Sequence, residues 1–339
     1  MNRTPLENVA RALVPPGKGI LAADESTGTI AKRFQAIALP STEASRQAYR
    51  QMLFTAPALG DFISGVILFD ETIRQNASDG TPFVQLLAQQ GILPGIKVDK
   101  GAKPLAQFPE ETVTEGLDGL RGRLEEYAKM GARFTKWRAV IRIGDGLPTS
   151  ACLAANAHAL GRFAALSQEA GLVPIVEPEV LMDGSHTLER CEAVTTEVLR
   201  VVFSELAQQR VAIEAMLLKI NMVTAGKDCQ EQPGIPEVAG ATVRCLRRVA
   251  VPALPGIVFL SGGMSGPLAT QRLNAINKIG DTPWPLSFSF GRALQDEALQ
   301  QWHGENVPAG QQALLLRARC NSAALDGKYS EAMESKQTA

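Results

Sequence analysis

The sequence predicts an α/β protein, a single-domain (β/α)8 TIM barrel over residues 1–339. Three observations predict it. Short apolar runs recur along the chain, and each ends in polar or charged residues. Helical patterns lie between those runs, so that strand and helix alternate about eight times, the arithmetic of this barrel. The length, 339 residues, suits one large barrel. The competing architecture, an open doubly wound sheet, lacks its usual marks. No GxGxxG turn follows the first run, and no GxxxxGK[ST] loop is present.

The elements follow in order. Leu6, Val9, Ala10 and Leu13 form the apolar face of a short N-terminal helix that Pro15 and Pro16 end. The first strand run is GILAA at 19–23, followed by Asp24, Glu25 and Ser26. The second is GVILF at 65–69, before Asp70. The third, at 95–96, leads into Lys97. The fourth begins at Ala132 and carries Lys136, Trp137 and Arg138. The fifth is VPIV at 173–176, before Glu177, Pro178 and Glu179. The sixth, 215–223, is interrupted by Lys219. The seventh is GIVFL at 256–260, before Ser261, Gly262 and Gly263. The eighth is LSF at 286–288, before Ser289, Phe290, Gly291 and Arg292. Fully buried parallel strands read as short continuous apolar runs of this kind.

Helical spacing marks residues 41–55, where Ser41 and Thr42 are candidate caps, and Leu117, Leu120, Leu124 and Tyr127. It also marks 151–170, 188–206, 236–249, 268–279 and 308–325. The polar stretch from 330 to 339 is expected to form a mobile tail.

Composition narrows the function. Hydrophobic residues make up 45% of the chain and the formal net charge is −1, so no basic footprint for nucleic acid is present. No run reaches the roughly 18 apolar residues of a membrane span, and the N-terminus lacks the apolar core of a signal peptide. The five cysteines are scattered without a CxxC pair, which points to a reduced, cytoplasmic protein. The three histidines are far apart, so no metal centre and no cofactor is expected.

Barrel active sites sit at the C-terminal ends of the strands. Asp24, Lys97, Lys136, Arg138, Glu177, Glu179, Lys219, Ser261 and Arg292 all fall at such ends. A lone lysine such as Lys219 in an apolar run reads first as a strand-end residue snorkelling to water. A ring of carboxylates and cations at successive strand ends favours chemistry instead. At pH 7 an ordinary lysine is a free amine about 1 time in 2,500. Burial and a second cation lower its pKa, and Lys136 is the candidate second cation. A free amine can attack a ketone and form an iminium, an electron sink for cleavage of a neighbouring carbon–carbon bond. Glu177 and Asp24 suit the proton transfers. The Ser261-Gly262-Gly263 turn and Arg292 suit a phosphate, and Arg33, Lys97 and Arg138 suit a second anion. Together they suggest a doubly phosphorylated ketose.

At these residues the chain resembles the class I fructose-bisphosphate aldolases. The matching strings are GKGILAADESTG at 17–28, GIKVDKG at 95–101, KWR at 136–138, VPIVEPE at 173–179, LLK at 217–219 and NMV at 221–223. They continue with FLSGG at 259–263, LNAIN at 273–277 and FGRALQ at 290–295, so the likeness runs in order from about residue 13 to residue 329. The resemblance implies that Lys219 forms the Schiff base and that Glu177 is its acid and base. It implies that Asp24 serves the hydroxyl at the cleaved bond, that Lys136 stabilises charge, and that Glu179 supports the proton network. It implies that Ser261, Gly262, Gly263, Ser289 and Arg292 bind the ketose-end phosphate, with Ser26, Arg33, Lys97 and Arg138 near the other end. Reversible cleavage of fructose 1,6-bisphosphate in glycolysis and gluconeogenesis, no metal, and a homotetramer follow from the same resemblance.

The chain departs from the family pattern at Ile220, usually proline, Met264, usually glutamine, and Phe290, usually tyrosine. It also ends at Ala339 without the tyrosine-terminated tail of animal members. Sedoheptulose 1,7-bisphosphate and fructose 1-phosphate therefore stand beside fructose 1,6-bisphosphate as expected substrates.

Overall fold

The computed structural model describes residues 4–335. Eight strands close into one parallel barrel. They are β1 (Gly19–Ala23), β2 (Ile63–Leu68), β3 (Leu93–Lys97), β4 (Phe134–Ile141), β5 (Val173–Val180), β6 (Leu217–Ile220), β7 (Ile257–Phe259) and β8 (Leu286–Phe290). Each pairs with its neighbours in sequence, and β8 closes on β1 through Ile20 opposite Ser289 and Leu21 opposite Phe290. A parallel pair needs a crossover, and helices supply it between successive strands.

Side chains alternate between the two faces of a strand, so every second residue points into the barrel. The inward residues change character along each strand. Ile20 and Ala22 of β1 lie in the barrel's apolar interior, and Asp24 continues their row. Phe134 precedes Lys136 and Arg138 on β4. Val173 and Ile175 precede Glu177 and Glu179 on β5, and Leu217 precedes Lys219 on β6. The lower barrel is therefore a packed apolar plug and its upper end is charged.

The N-terminal helix, Thr4–Ala12, closes the lower end. Leu6, Val9, Ala10, Leu13 and Val14 join Phe134, Val173, Ile175, Leu217 and Val258 in one cluster. Ser64 donates to the Leu13 carbonyl at 2.6 Å, tying the helix exit to β2. Gly95 of β3 makes room for the Phe134 ring, which a β-carbon there would meet at 2.3 Å. The second, larger core lies between the barrel's outer face and the helices, around Trp137, Phe163, Phe34, Tyr49 and Trp302.

Several boundaries differ from the sequence reading. The expected helix at 41–55 is Glu43–Phe54, with Thr42 and Ser45 exchanging side-chain and backbone hydrogen bonds as a capping box. Strand β5 runs through Glu177 and Glu179 to Val180 instead of stopping at Val176, because the barrel's polar upper interior accepts both carboxylates without breaking the strand. The sequence reading did not anticipate helices at Thr27–Gln35, Phe83–Gln89 and Arg292–Trp302. The first two are short and bury only Ile30 and Phe34, and Phe83 and Leu87, while the third buries a stripe of Ala293, Leu294, Ala298, Leu299 and Trp302. Of the expected tail, 336–339 lie outside the described residues. Glu331–Met333 form a 3-10 turn, and Glu334 is held by Arg317 and by the Tyr329 hydroxyl at 2.7 Å.

Candidate active site

The charged ends of β1, β4, β5 and β6 meet in one cluster. Glu177 Oε1 lies 3.1 Å from Lys219 Nζ, and Glu177 Oε2 lies 3.3 Å from Lys136 Nζ. Lys136 Nζ reaches Asp24 Oδ2 at 2.6 Å. The strand register produces this. Ile175 is opposite both Lys136 and Leu217, so the next inward residue on β5, Glu177, falls between the two lysine head groups. Lys219, Lys136 and Glu177 are each under 5% exposed.

Two cations and two carboxylates balance, which is what makes their burial tolerable. Burial opposes ionisation of Asp24, but Lys136, Lys97 and Lys219 outweigh it and hold that carboxyl well below its usual range. Burial opposes ionisation of Glu177 too, and Lys136, Lys219 and Arg138 pull its pKa down. For Lys136, burial disfavours the charge, while Asp24 and Glu177 more than restore it and raise the pKa above that of an ordinary lysine. Lys136, the candidate second cation, thus keeps its charge in the folded protein. Its charge is compensated by Asp24 on one side and Glu177 on the other.

A second tier surrounds the cluster. Arg138 pairs with Glu179, one inward step further along β4 and β5. Lys97 Nζ stands 5.6 Å from the centre of the Phe69 ring. After β7 the chain turns through Gly262 and Gly263 at φ of +57° and +92°, a region that L side chains rarely adopt. A β-carbon on Gly262 would also strike the Met182 sulfur at 2.5 Å. The Ser289 hydroxyl, at the end of β8, is buried without a protein hydrogen-bond partner. Arg292 opens the helix after β8 and has no carboxylate within 4.0 Å among the described residues.

Asp24, Ser26, Arg33, Lys97, Lys136, Arg138, Glu177, Glu179, Lys219, Ser261, Gly262, Ser289 and Arg292 line one cavity of about 450 Å³. Gly263 is the one expected site residue that does not line it. Arg33, expected at an anion, is engaged by Glu25 and by Asp296 at 2.5 Å. The same cavity is lined by Glu25, Thr29 and Lys32, which the sequence reading passed over. Glu25 accepts from Arg33, from Arg50 at 2.8 Å and from Gln295 at 3.0 Å, which fixes the turn that carries Asp24 and Ser26. Ser26 caps the helix Thr27–Gln35 and turns that helix's N-terminus toward the cavity. Among the described residues no three of His, Cys, Asp and Glu gather as a metal-binding group, and no helix is long and apolar enough to cross a membrane.

A buried lysine beside a carboxylate, at the mouth of a (β/α)8 barrel ringed by cations, forms a candidate enzyme site of a kind that suits a small anionic substrate. Comparison with known proteins gives the family. Residues 5–339 match the family model for class I fructose-bisphosphate aldolase. A Xanthomonas campestris pv. campestris protein, "Probable fructose-bisphosphate aldolase class 1", is 55% identical over 327 residues, covering 96% of this chain and 98% of its own. "Fructose-bisphosphate aldolase 5, cytosolic" of Arabidopsis thaliana is 53% identical, covering 96% and 91%. The solved fructose-bisphosphate aldolase of Plasmodium falciparum superposes with a TM-score of 0.95 at 50% identity, covering 96% of this chain and 95% of that one. The chain belongs to the class I fructose-bisphosphate aldolases, a family of carbon–carbon lyases.

Proposed function

We propose that this enzyme cleaves fructose 1,6-bisphosphate reversibly to glycerone phosphate and glyceraldehyde 3-phosphate through a Schiff base on Lys219, as a step of glycolysis and gluconeogenesis. The observation that carries the mechanism is the position of Glu177, its two oxygens divided between Lys219 and Lys136. Proton transfer across the 3.1 Å contact leaves a neutral amine and a carboxylic acid without changing the net charge of the buried cluster.

The amine attacks C2 of the ketose. Glu177 returns its proton to the carbinolamine hydroxyl, which departs as water and leaves the iminium. Asp24 takes the proton of the C4 hydroxyl, the C3–C4 bond breaks, and its electron pair flows into the iminium to give an enamine. Glyceraldehyde 3-phosphate leaves. Protonation of the enamine and hydrolysis release glycerone phosphate and restore Lys219.

Lys136 stays charged throughout and steadies the carboxylates on either side of it. Glu179 holds Arg138 at the rim. Ser261, Gly262, Gly263, Ser289 and Arg292 take the ketose-end phosphate, and the unpartnered Ser289 hydroxyl supports that reading. Ser26, Lys97 and Arg138 face the other phosphate, with Arg33 behind them.

The reacting cluster addresses only C2 to C4. Sedoheptulose 1,7-bisphosphate and fructose 1-phosphate are therefore side substrates of the same chemistry, ranked by kcat/KM. Purified enzyme given fructose 1,6-bisphosphate is expected to release the two triose phosphates in equal amounts, and Lys219→Met is expected to release neither. Full turnover by Lys219→Met would defeat the reading.

A further inference from the structure

Three loops interlock above β5, β6 and β7. The loop after β6 is stitched to the loop after β5 by backbone hydrogen bonds. Gly226 N donates to His186 O at 2.8 Å, Lys227 N to Met182 O at 2.8 Å and Asp228 N to Gly184 O at 3.0 Å. The fit is tight, since a β-carbon on Gly226 would fall 2.1 Å from the Gly184 carbonyl oxygen. The loop after β7 packs on the same assembly through Gly262 against Met182. Lys227 is thus held at its backbone beside the glycine turn, although it lies in a different loop.

Its side chain reaches that turn. The point where a β-carbon would stand on Gly263 is 2.9 Å from Arg292 Nη2 and 3.4 Å from Lys227 Nζ. Two cationic groups flank the space over one glycine. Lys227 has one anionic neighbour, Asp183, at 3.2 Å, in a pair exposed to solvent on both sides. Exposed pairs of this kind contribute little, so the ammonium can exchange Asp183 for a better partner at small cost. Arg292 has no carboxylate at all within 4.0 Å among the described residues. Two like charges held this close, with one weak counter-charge on Lys227 alone, leave a place for an anion.

We infer that Lys227 is a further phosphate-binding residue, closing over the ketose-end phosphate beside Arg292 and letting go of Asp183 as it does so. The inference rests on the proposal that Ser261, Gly262 and Arg292 hold that phosphate. Lys227 touches no atom of the bond being cleaved. It therefore tightens substrate binding and selects ketoses that carry a phosphate at that end, without a part in proton transfer.

The test uses the full chain as wild type, Lys227→Met and Lys227→Arg, with two readouts. Binding of inorganic phosphate, measured by calorimetry at low ionic strength, is expected to weaken about 5- to 10-fold in Lys227→Met and to recover in Lys227→Arg, the size of one lost charge-assisted contact. For fructose 1,6-bisphosphate the KM is expected to rise by a similar factor while kcat changes less than about two-fold, the signature of lost uniform binding. Wild-type phosphate affinity and KM in Lys227→Met would overturn the inference. So would a fall in kcat with KM unchanged. The calorimetric readout needs no turnover, so a wild type that binds phosphate through Lys227 but fails to cleave the ketose would count against the proposed reaction and not against Lys227.

Discussion

Glu177 Oε1 stands 3.1 Å from Lys219 Nζ, on the adjacent strand and one inward step above Ile175. The amine and its proton acceptor are therefore set by barrel register and not by a loop. A contact fixed in this way keeps its geometry when one member is replaced by an isostere. Glu177→Gln is expected to fold normally by circular dichroism and to lose about 10²- to 10⁴-fold in kcat, the usual share of a positioned acid and base. Retention of more than a tenth of wild-type kcat would remove Glu177 from the mechanism.

Lys136→Met leaves Asp24 and Glu177 buried with one cation fewer. Breaking a buried pair by removing one partner costs about 3–5 kcal/mol, read as a loss in unfolding free energy at pH 7. The pH dependence has a definite sign. Both carboxyls have folded pKa values below their ordinary values of 3.8 and 4.5. The stability they contribute is complete above about pH 5 and declines as pH falls through those values toward the lower folded ones. The lysine runs the other way. Its folded pKa is raised above the ordinary 10.5, so its contribution is full below that value and declines as pH climbs past it. Lys136→Met should therefore show its full stability deficit from about pH 5 to pH 8, and the deficit should only begin to shrink as pH falls below about 4, in urea denaturation across pH 3–8.

Ser289 Oγ is buried without a protein partner. Removing it costs the fold no hydrogen bond, so Ser289→Ala is expected to keep the wild-type melting temperature within about 1 °C. Its KM for fructose 1,6-bisphosphate should rise about 3- to 10-fold, one hydrogen bond to a charged ligand. A lowered melting temperature with unchanged KM would mean that the hydroxyl serves the fold.

Leu13 is fully buried where the N-terminal helix closes the barrel. Leu13→Ala should destabilise the protein by about 2–5 kcal/mol, measured by chemical denaturation. The upper, charged end lies on the other side of the apolar layer, so KM and kcat of the folded variant should match wild type.

The strands were legible because a buried parallel strand has few ways to be written. Runs such as GIVFL at 256–260 offer neither a helical stripe nor a polar face. Asp24, Ser261 and Arg292 were legible as site residues because each follows such a run, and Lys219 because it interrupts one. Glu177 and Glu179 were found, but as residues beyond the strand, since a carboxylate inside a strand contradicts the apolar pattern unless the barrel's upper interior is already known to be charged. Three kinds of information were not local. The pairing of Lys136 with Asp24 depends on strands far apart in sequence. Lys32 and Thr29 sit on a nine-residue helix whose polar side reads as a solvated face. Lys227 reaches Gly263 only because the loops after β5, β6 and β7 interlock, and nothing in any one loop records that.

The covalent step is settled by trapping it. Enzyme mixed with glycerone phosphate and reduced with borohydride should gain the mass of one reduced adduct, carried after proteolysis by the peptide that contains Lys219, while Lys219→Met gains none. An adduct on a peptide that excludes Lys219, or activity that survives without any adduct, would contradict the Schiff-base mechanism.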